Sequence, residues 1–288
     1  MAVQKDTLPI TFNIVFSYYL EYSEHTSKNR DYYCFASFFR FYSDIEIKKI
    51  TRQSLRDFVH SRRVVGVTDA TINREFRSVR AAINFYYRDH ELSLKNPLSN
   101  FSLSESEPRI RYLTKPEAVT LLEASKDNYF LSCFINLALN TGCRSGELLK
   151  LTWDRVDFDN RYLILNRDDT KTKRRRFIAL NDSSVALLLK MQKSTKSCTW
   201  VFYNETTGTH ILSLKKGFSL ACKNARIENL RIHDLRHTFA SWLVQSGVPL
   251  YTVRDLLGHT CITTTERYAH LQNDHLRAAL LSLPSLPS

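Results

Sequence analysis

In the stretch RIHDLRHTFASWLV, Arg231 to Val244, three basic side chains, His233, Arg236 and His237, fall within five positions ahead of an apolar run. The second half reads as a core-facing helix. The cations therefore sit in its first turn, where the helix's own partial positive charge disfavours them. His233 and Arg236 are three apart and share a helix face. A helix N-terminus with two added cations is a site for a phosphate, whose charge relieves the crowding. H-x-x-R is weak in isolation: about one such pair is expected by chance in this composition, and His60 with Arg63 supplies a decoy.

The company of His233 and Arg236 carries more weight. Arg144 stands beside a helix start in TGCRSGELLKLTW, His259 ends LLGH, Tyr268 centres TTTERYAHL, and RDDTKTKR forms a lysine-bearing loop between two short apolar runs. If these converge, Arg144 brings a second guanidinium whose planar fork matches two phosphate oxygens, with Glu147 one turn on to orient it. Two arginines on one phosphodiester stabilise the added charge of an in-line phosphoryl transfer, a service that a metal ion gives elsewhere. No carboxylate cluster of metal-site type stands near these motifs, so a metal-free mechanism is the economical reading and no cofactor is expected. Tyr268 is the candidate nucleophile. A phenol with a pKa of about 10 needs nearby cations or a base to favour its anion.

These four motifs, in this order, resemble the signature boxes of the tyrosine recombinases, the phage integrase and Xer-like family. The resemblance is close from Arg111 to about Leu276; ahead of it only size, helical pattern and charge agree. It implies that Arg144 and Arg236 clamp the phosphate, Tyr268 attacks it, and Lys171 protonates the leaving 5′ oxygen. His233 acts as base or hydrogen-bond partner, and His259 donates to the scissile phosphate. The family hairpin often carries a glycine after its lysine. TKTKRRRF has none and offers Lys173 as the alternative to Lys171. His237 and His270 read as structural. The resemblance further implies a 3′-phosphotyrosine intermediate, resolution of a Holliday junction within a homo-tetramer on double-stranded recombination sites, and no need for ATP. It also implies a helical core-binding domain that closes with the catalytic domain as a clamp around DNA. HLRAALLSL near the end is either a tail that docks on a neighbouring subunit or one folded back on its own domain.

The elements that must position these residues are mostly helical, with a small β-sheet. KPEAVTLLEAS, YFLSCFINLALNTG and VPLYTVRDLLGH read as helices, RYLILN and RRFIAL as strands joined by the basic hairpin. In TINREFRSVRAAINFYYRDH, Ile72, Phe76, Val79, Ile83, Tyr86 and Tyr87 share one face, while Arg74, Arg77 and Arg88 lie opposite. With Lys48, Lys49, Arg52, Arg56, Arg62 and Arg63 upstream, the ridge reads as a DNA-backbone surface, and so do Lys173, Arg174, Arg175 and Arg176 at the hairpin. The serine- and proline-broken segment Asn96 to Glu117 looks like a linker. The expected division is a helical core-binding (SAM-like) domain over 1–100, a linker over 101–110, and an α+β tyrosine recombinase catalytic domain over 111–288. That leaves no room for a separate arm-site domain and points to a simple, Xer-like or short-integrase architecture.

Composition agrees with a folded, DNA-seeking chain. Of 288 residues 43% are apolar and 12% aromatic, glycine and proline number 7 each, and the net charge of +12 favours an anionic partner. No apolar run of about 18 residues is present to span a bilayer, and the first residues do not pattern as a secretion signal, so a cytoplasmic, nucleoid-associated location and no membrane partner are expected. The six cysteines form no C-x-x-C pair and read as reduced, mostly buried thiols. Two other readings fit less well. A purely architectural DNA binder has no use for the tyrosine, and a type IB topoisomerase does not carry Xer-like boxes.

Overall fold

The computed structural model describes residues 9–25, 27–105, 110–166, 175–195 and 198–272. It is mostly helical with small antiparallel sheets and divides into two compact units, Met1–Pro108 and Arg109–Ser288.

The first unit is built from α1 (Phe12–Tyr22), α2 (Lys28–Tyr42), α3 (Arg52–Val64) and α4 (Asp69–Asp89). Its core is aromatic: Phe16 stacks on Phe35 at 4.1 Å between ring centroids, and Phe38 meets Phe58 at 4.3 Å. A Thr51–Ser54 capping box starts α3. Helix α4 buries Ile72, Phe76, Val79, Ile83 and Tyr87 and exposes Arg74, Arg77 and Arg88, as its periodicity predicts. The upstream basic cluster is less free than its sequence suggests. Arg62 forks onto the buried carboxylate of Glu75 at 2.6 and 3.1 Å, Arg63 pairs with Asp69, and Lys48 and Lys49 pair with Glu46. The start of the expected linker is packed as well. Arg80 donates to the carbonyls of Leu98 and Phe101, Leu98 is fully buried, and Asn73 holds Leu103 through two hydrogen bonds.

The second unit runs α5 (Lys115–Ala124), α6 (Tyr129–Thr141), α7 (Ser145–Leu149), strands β1 (Val156–Asp157), β2 (Tyr162–Leu165) and β3 (Arg176–Ala179), and α8 (Asp182–Ser194). It continues with β4 (Tyr203–Asn204), β5 (Thr209–His210), α9 (Lys215–Asn224), α10 (Asp234–Gln245), α11 (Leu250–Leu257) and α12 (Thr263–Glu266). The first sheet has the order β1-β2-β3, all antiparallel, with Leu163 opposite Ile178. The β4-β5 hairpin is not predicted, since two-residue strands carry no periodic signal. Thr114 and Glu117 form a capping box at α5, and Asn128 caps α6. Apolar α6 packs against α10. Two bonds fasten α10 to the unit's first segment: Leu113 N–H donates to Thr238 Oγ1 at 2.9 Å, and the Trp242 indole N–H donates to the Leu113 carbonyl at 2.9 Å. Among the described residues no helix is long and apolar enough to cross a membrane.

Candidate active site

The first turn of α10 is the centre of the site. His233 sits at its N-cap, Asp234 accepts from the Arg231 amide at 2.8 Å, and Arg236 points inward and is only 3% exposed. Arg236 donates to the carbonyl of Gly142 at 2.7 Å and to that of Leu257 at 2.6 Å. Gly142 caps α6, and Leu257 is the last residue of α11. Helix C-termini leave carbonyls unpaired and carry partial negative charge, so two of them offset one buried guanidinium. Both helices end in a left-handed glycine, Gly142 at φ +62° and Gly258 at φ +63°. The cation that seemed misplaced at its own helix start is thus spent on the ends of two others. Burial, with Arg144 and Arg176 nearby, still lowers its pKa to about 10.

Arg144 is the N-cap of α7, where Glu147 takes both its backbone N–H and its guanidinium at 2.8 Å. Glu147 is almost fully buried and also faces Arg176, whose Nη1 lies 3.6 Å from its Oε1. Arg176 further donates to the Leu256 carbonyl and occupies the space left by Gly258, where an added Cβ would lie 2.4 Å from its side chain. This changes the reading of Arg176: it turns into the site from β3, and only Arg175 of the described pair is an exposed cation, lying over the Phe177 ring. Lys171, Lys173 and Arg174 lie outside the described residues.

The histidines and the tyrosine complete the cluster. His259 Nδ1 meets Thr265 Oγ1 at 2.9 Å, and desolvation, followed by the charges of Arg236, Arg144, Arg267 and Arg176, lowers its pKa to about 3. His233 lies at the exposed edge, its pKa lowered by partial desolvation and then by Arg236. Tyr268 is 1% exposed, packed with Ala240, Val244, Val253 and Leu257 between α12 and a 3-10 turn at Ala269–Gln272. Burial raises its pKa to about 12 despite the opposing pull of Arg267 and Arg236. Its hydroxyl meets Nδ1 of His237 at 2.5 Å. His237, read as structural in the sequence, is therefore the described side chain on the candidate nucleophile.

The site gathers Arg144, Arg176, Arg236 and Arg267 around Glu147 and Asp234. Nε and Nη1 of Arg176 and Nε of Arg267 are buried without a hydrogen-bond acceptor. An excess of cations with unspent donors fits an anion. Among the described residues no group of three His, Cys, Asp or Glu side chains is placed to hold a metal ion. Arg74, Arg77 and Arg88 belong to the other unit. Cys143 is buried, as expected, beside Glu147, and desolvation pushes its thiol up to about 11.

The family model described as the phage integrase family matches residues 111–275. The integrase of Salmonella phage P22 is 30% identical over 208 residues, covering 69% of this chain and 53% of that protein, so the match spans about half the phage protein's length. The tyrosine recombinase XerD of Rickettsia bellii is 26% identical over 261 residues, covering 82% of this chain and 84% of that one. Among solved structures, the integrase of transposon Tn1549 in complex with a circular intermediate DNA superposes with a TM-score of 0.82 at 21% identity, covering 96% of this chain and all of the other. A lambda integrase dimer bound to a core site gives 0.73 at 18%, covering 88% and 97%. At such identities the structures show a shared fold.

Proposed function

Since the chain belongs to the phage integrase family, the tyrosine site-specific recombinases, we propose that it cuts and rejoins duplex DNA through a 3′-phosphotyrosine bond to Tyr268. The observation that carries this reading is the convergence of Arg144, Arg236, His259 and Tyr268, distant in sequence, around the first turn of α10. Arg236 and Arg144 grip the two non-bridging oxygens of the scissile phosphate with the donors not spent on carbonyls and Glu147, and their charge stabilises the pentacoordinate transition state. His259 is neutral at physiological pH. The tautomer in which Thr265 donates to Nδ1 carries its hydrogen on Nε2, free to bond a phosphate oxygen. His233, at the open edge, is a second hydrogen-bond partner of the phosphate. Lys171, ahead of β3, protonates the departing 5′ oxygen.

The ester energy is kept in the phosphotyrosine, so a partner strand's 5′-hydroxyl can reverse the step without ATP or metal. Two rounds in a homo-tetramer on double-stranded sites resolve a Holliday junction. The first unit is the core-binding domain, its exposed Arg74, Arg77 and Arg88 on DNA phosphates, and Arg175, Lys173 and Arg174 of the hairpin add further backbone contacts. The DNA-bound Tn1549 and lambda integrases support the fold-level part of this assignment.

The test is incubation of the whole protein with supercoiled plasmid in EDTA, followed by denaturation and a search for protein-linked DNA. A metal-independent adduct present in the wild type and absent in Tyr268→Phe is expected. An adduct that persists in Tyr268→Phe would overturn the nucleophile.

A further inference from the structure

Tyr268 has to lose a proton to attack phosphorus, and almost none of its surface reaches water in this structure. The acceptor is therefore sought among side chains. His259 spends Nδ1 on Thr265, and His233 stands off at the exposed edge, its ring 5.1 Å from that of His237. Asp234 is turned to the Arg231 amide. The side chain that meets the phenolic oxygen is His237, through Nδ1 at 2.5 Å. His237 directly follows Arg236 on α10, so a phenol that keeps this bond stays beside the phosphate grip.

We propose that His237, rather than His233, is the proton acceptor for Tyr268. The proposal rests on Tyr268 being the nucleophile. As Oη forms its bond to phosphorus, the O–H bond breaks and its proton passes to Nδ1, which makes His237 an imidazolium. The P–O5′ bond breaks in the same displacement, and the 5′ oxygen takes a proton from the leaving-side donor assigned above to Lys171. On rejoining, the incoming 5′-hydroxyl returns its proton to that donor, and the imidazolium returns its own to the departing phenol oxygen. The charges that face His237 are His233, Asp234 and Arg236 on its own helix and Arg267 on the segment that carries Tyr268. The ring is held neutral in the free protein, mainly by desolvation and then by His233, so it offers a lone pair at physiological pH. An arriving phosphate opposes the guanidinium charges and makes imidazolium easier to form.

Two measurements test this. Without DNA, long-range 15N NMR of the histidine rings should show Nδ1 of His237 as a hydrogen-bonded acceptor in the wild type and its shift altered in Tyr268→Phe. With supercoiled plasmid in EDTA, His237→Asn keeps a polar atom near the Nδ1 position but cannot take the proton, and its rate of adduct formation should fall by roughly 10²-fold. The loss should shrink about tenfold per pH unit above neutrality as hydroxide replaces the base, while the wild type stays flat. Added imidazole should restore part of the rate to His237→Gly. A His237→Asn rate equal to wild type, or an NMR shift indifferent to Tyr268→Phe, overturns the assignment. Loss of the adduct in Tyr268→Phe together with a normal His237→Asn rate overturns His237 alone and leaves the nucleophile standing. An adduct that survives in Tyr268→Phe overturns both.

Discussion

Arg236 donates to the backbone carbonyl of Gly142 at 2.7 Å, across ninety-four positions of sequence. The bond joins the basic first turn of α10 to the end of α6, and it depends on a backbone that only glycine adopts cheaply there. Gly142 has φ +62°, and a Cβ added to it would lie 2.3 Å from the Phe239 ring. Left-handed strain of roughly 1–2 kcal/mol and overpacking of about 1–3 kcal/mol both act on Gly142→Ala. We expect the variant to be destabilised by about 2–5 kcal/mol and to lose cleavage more than DNA binding. Urea unfolding followed by tryptophan fluorescence checks this. All three tryptophans, Trp153, Trp200 and Trp242, lie in the second unit and report on it alone. Adding Phe239→Ala should recover part of the loss, and strictly additive losses would refute the contact.

Glu147 offers one oxygen to the Arg144 guanidinium and the same oxygen, at longer range, to Arg176. Glu147→Gln keeps an acceptor but removes the charge that orders two guanidiniums. We expect adduct formation about tenfold slower with DNA affinity held or raised, because the site becomes more cationic. Rates and affinities measured side by side on one plasmid or duplex decide it. Weaker binding at an unchanged rate would contradict the orienting role.

The sites that sequence made legible and those it hid differ for physical reasons. Helix α4 and strands β2 and β3 bury enough apolar surface to impose a period, and Arg144, His233, Arg236, His259 and Tyr268 stand in motifs whose residue types already suggest phosphate chemistry. In the sequence Arg176 reads with Arg174 and Arg175 as one run of DNA-backbone contacts. Yet strand alternation holds a clue: Ile178 points inward and Phe177 outward, which turns Arg176 inward too. His237 had a comparable signal, since it lies four positions after His233 on one helix face. Arg267 had none. It falls between a four-residue helix and a 3-10 turn, too short for any period, and its place beside the histidines comes from tertiary packing.

Arg74 and Arg77 are exposed on α4, whereas Arg62 and Arg63 on α3 are held by Glu75 and Asp69. Arg77 also has Glu105 at 3.6 Å, a loose pair at the surface. Backbone contact is sequence-independent and salt-sensitive. Replacing Arg74 by alanine should weaken binding uniformly across duplex sequences and reduce the slope of log affinity against log salt by about 1. Fluorescence anisotropy at several salt concentrations measures both. Arg62→Ala should act through stability instead, because it strips the buried Glu75 carboxylate of its partner. An unchanged salt slope in Arg74→Ala would remove this ridge from the DNA surface.

The buried histidines give stability a defined dependence on pH. Burial and neighbouring positive groups lower His237 to about 4 and His259 to about 3, from 6.5 for an exposed imidazole. Well above pH 6.5 both are neutral whether the chain is folded or not, and neither contributes a pH dependence there. Below it the unfolded chain takes up their protons while the folded one resists, so stability falls as pH falls and stops falling only near the folded values. Each histidine adds a slope of at most about 1.4 kcal/mol per pH unit, a ceiling that solvent screening of partly open rings reduces. We expect the second unit to be less stable to urea at pH 5 than at pH 7. Most carboxylates stay ionised across that interval, so the histidines dominate it. His237→Gln and His259→Gln should each flatten the dependence, and the double variant should lose most of it, the remainder coming from His233, whose pKa the site also lowers. A double variant that loses as much stability as the wild type between these pH values would show that neither ring is held neutral by the fold.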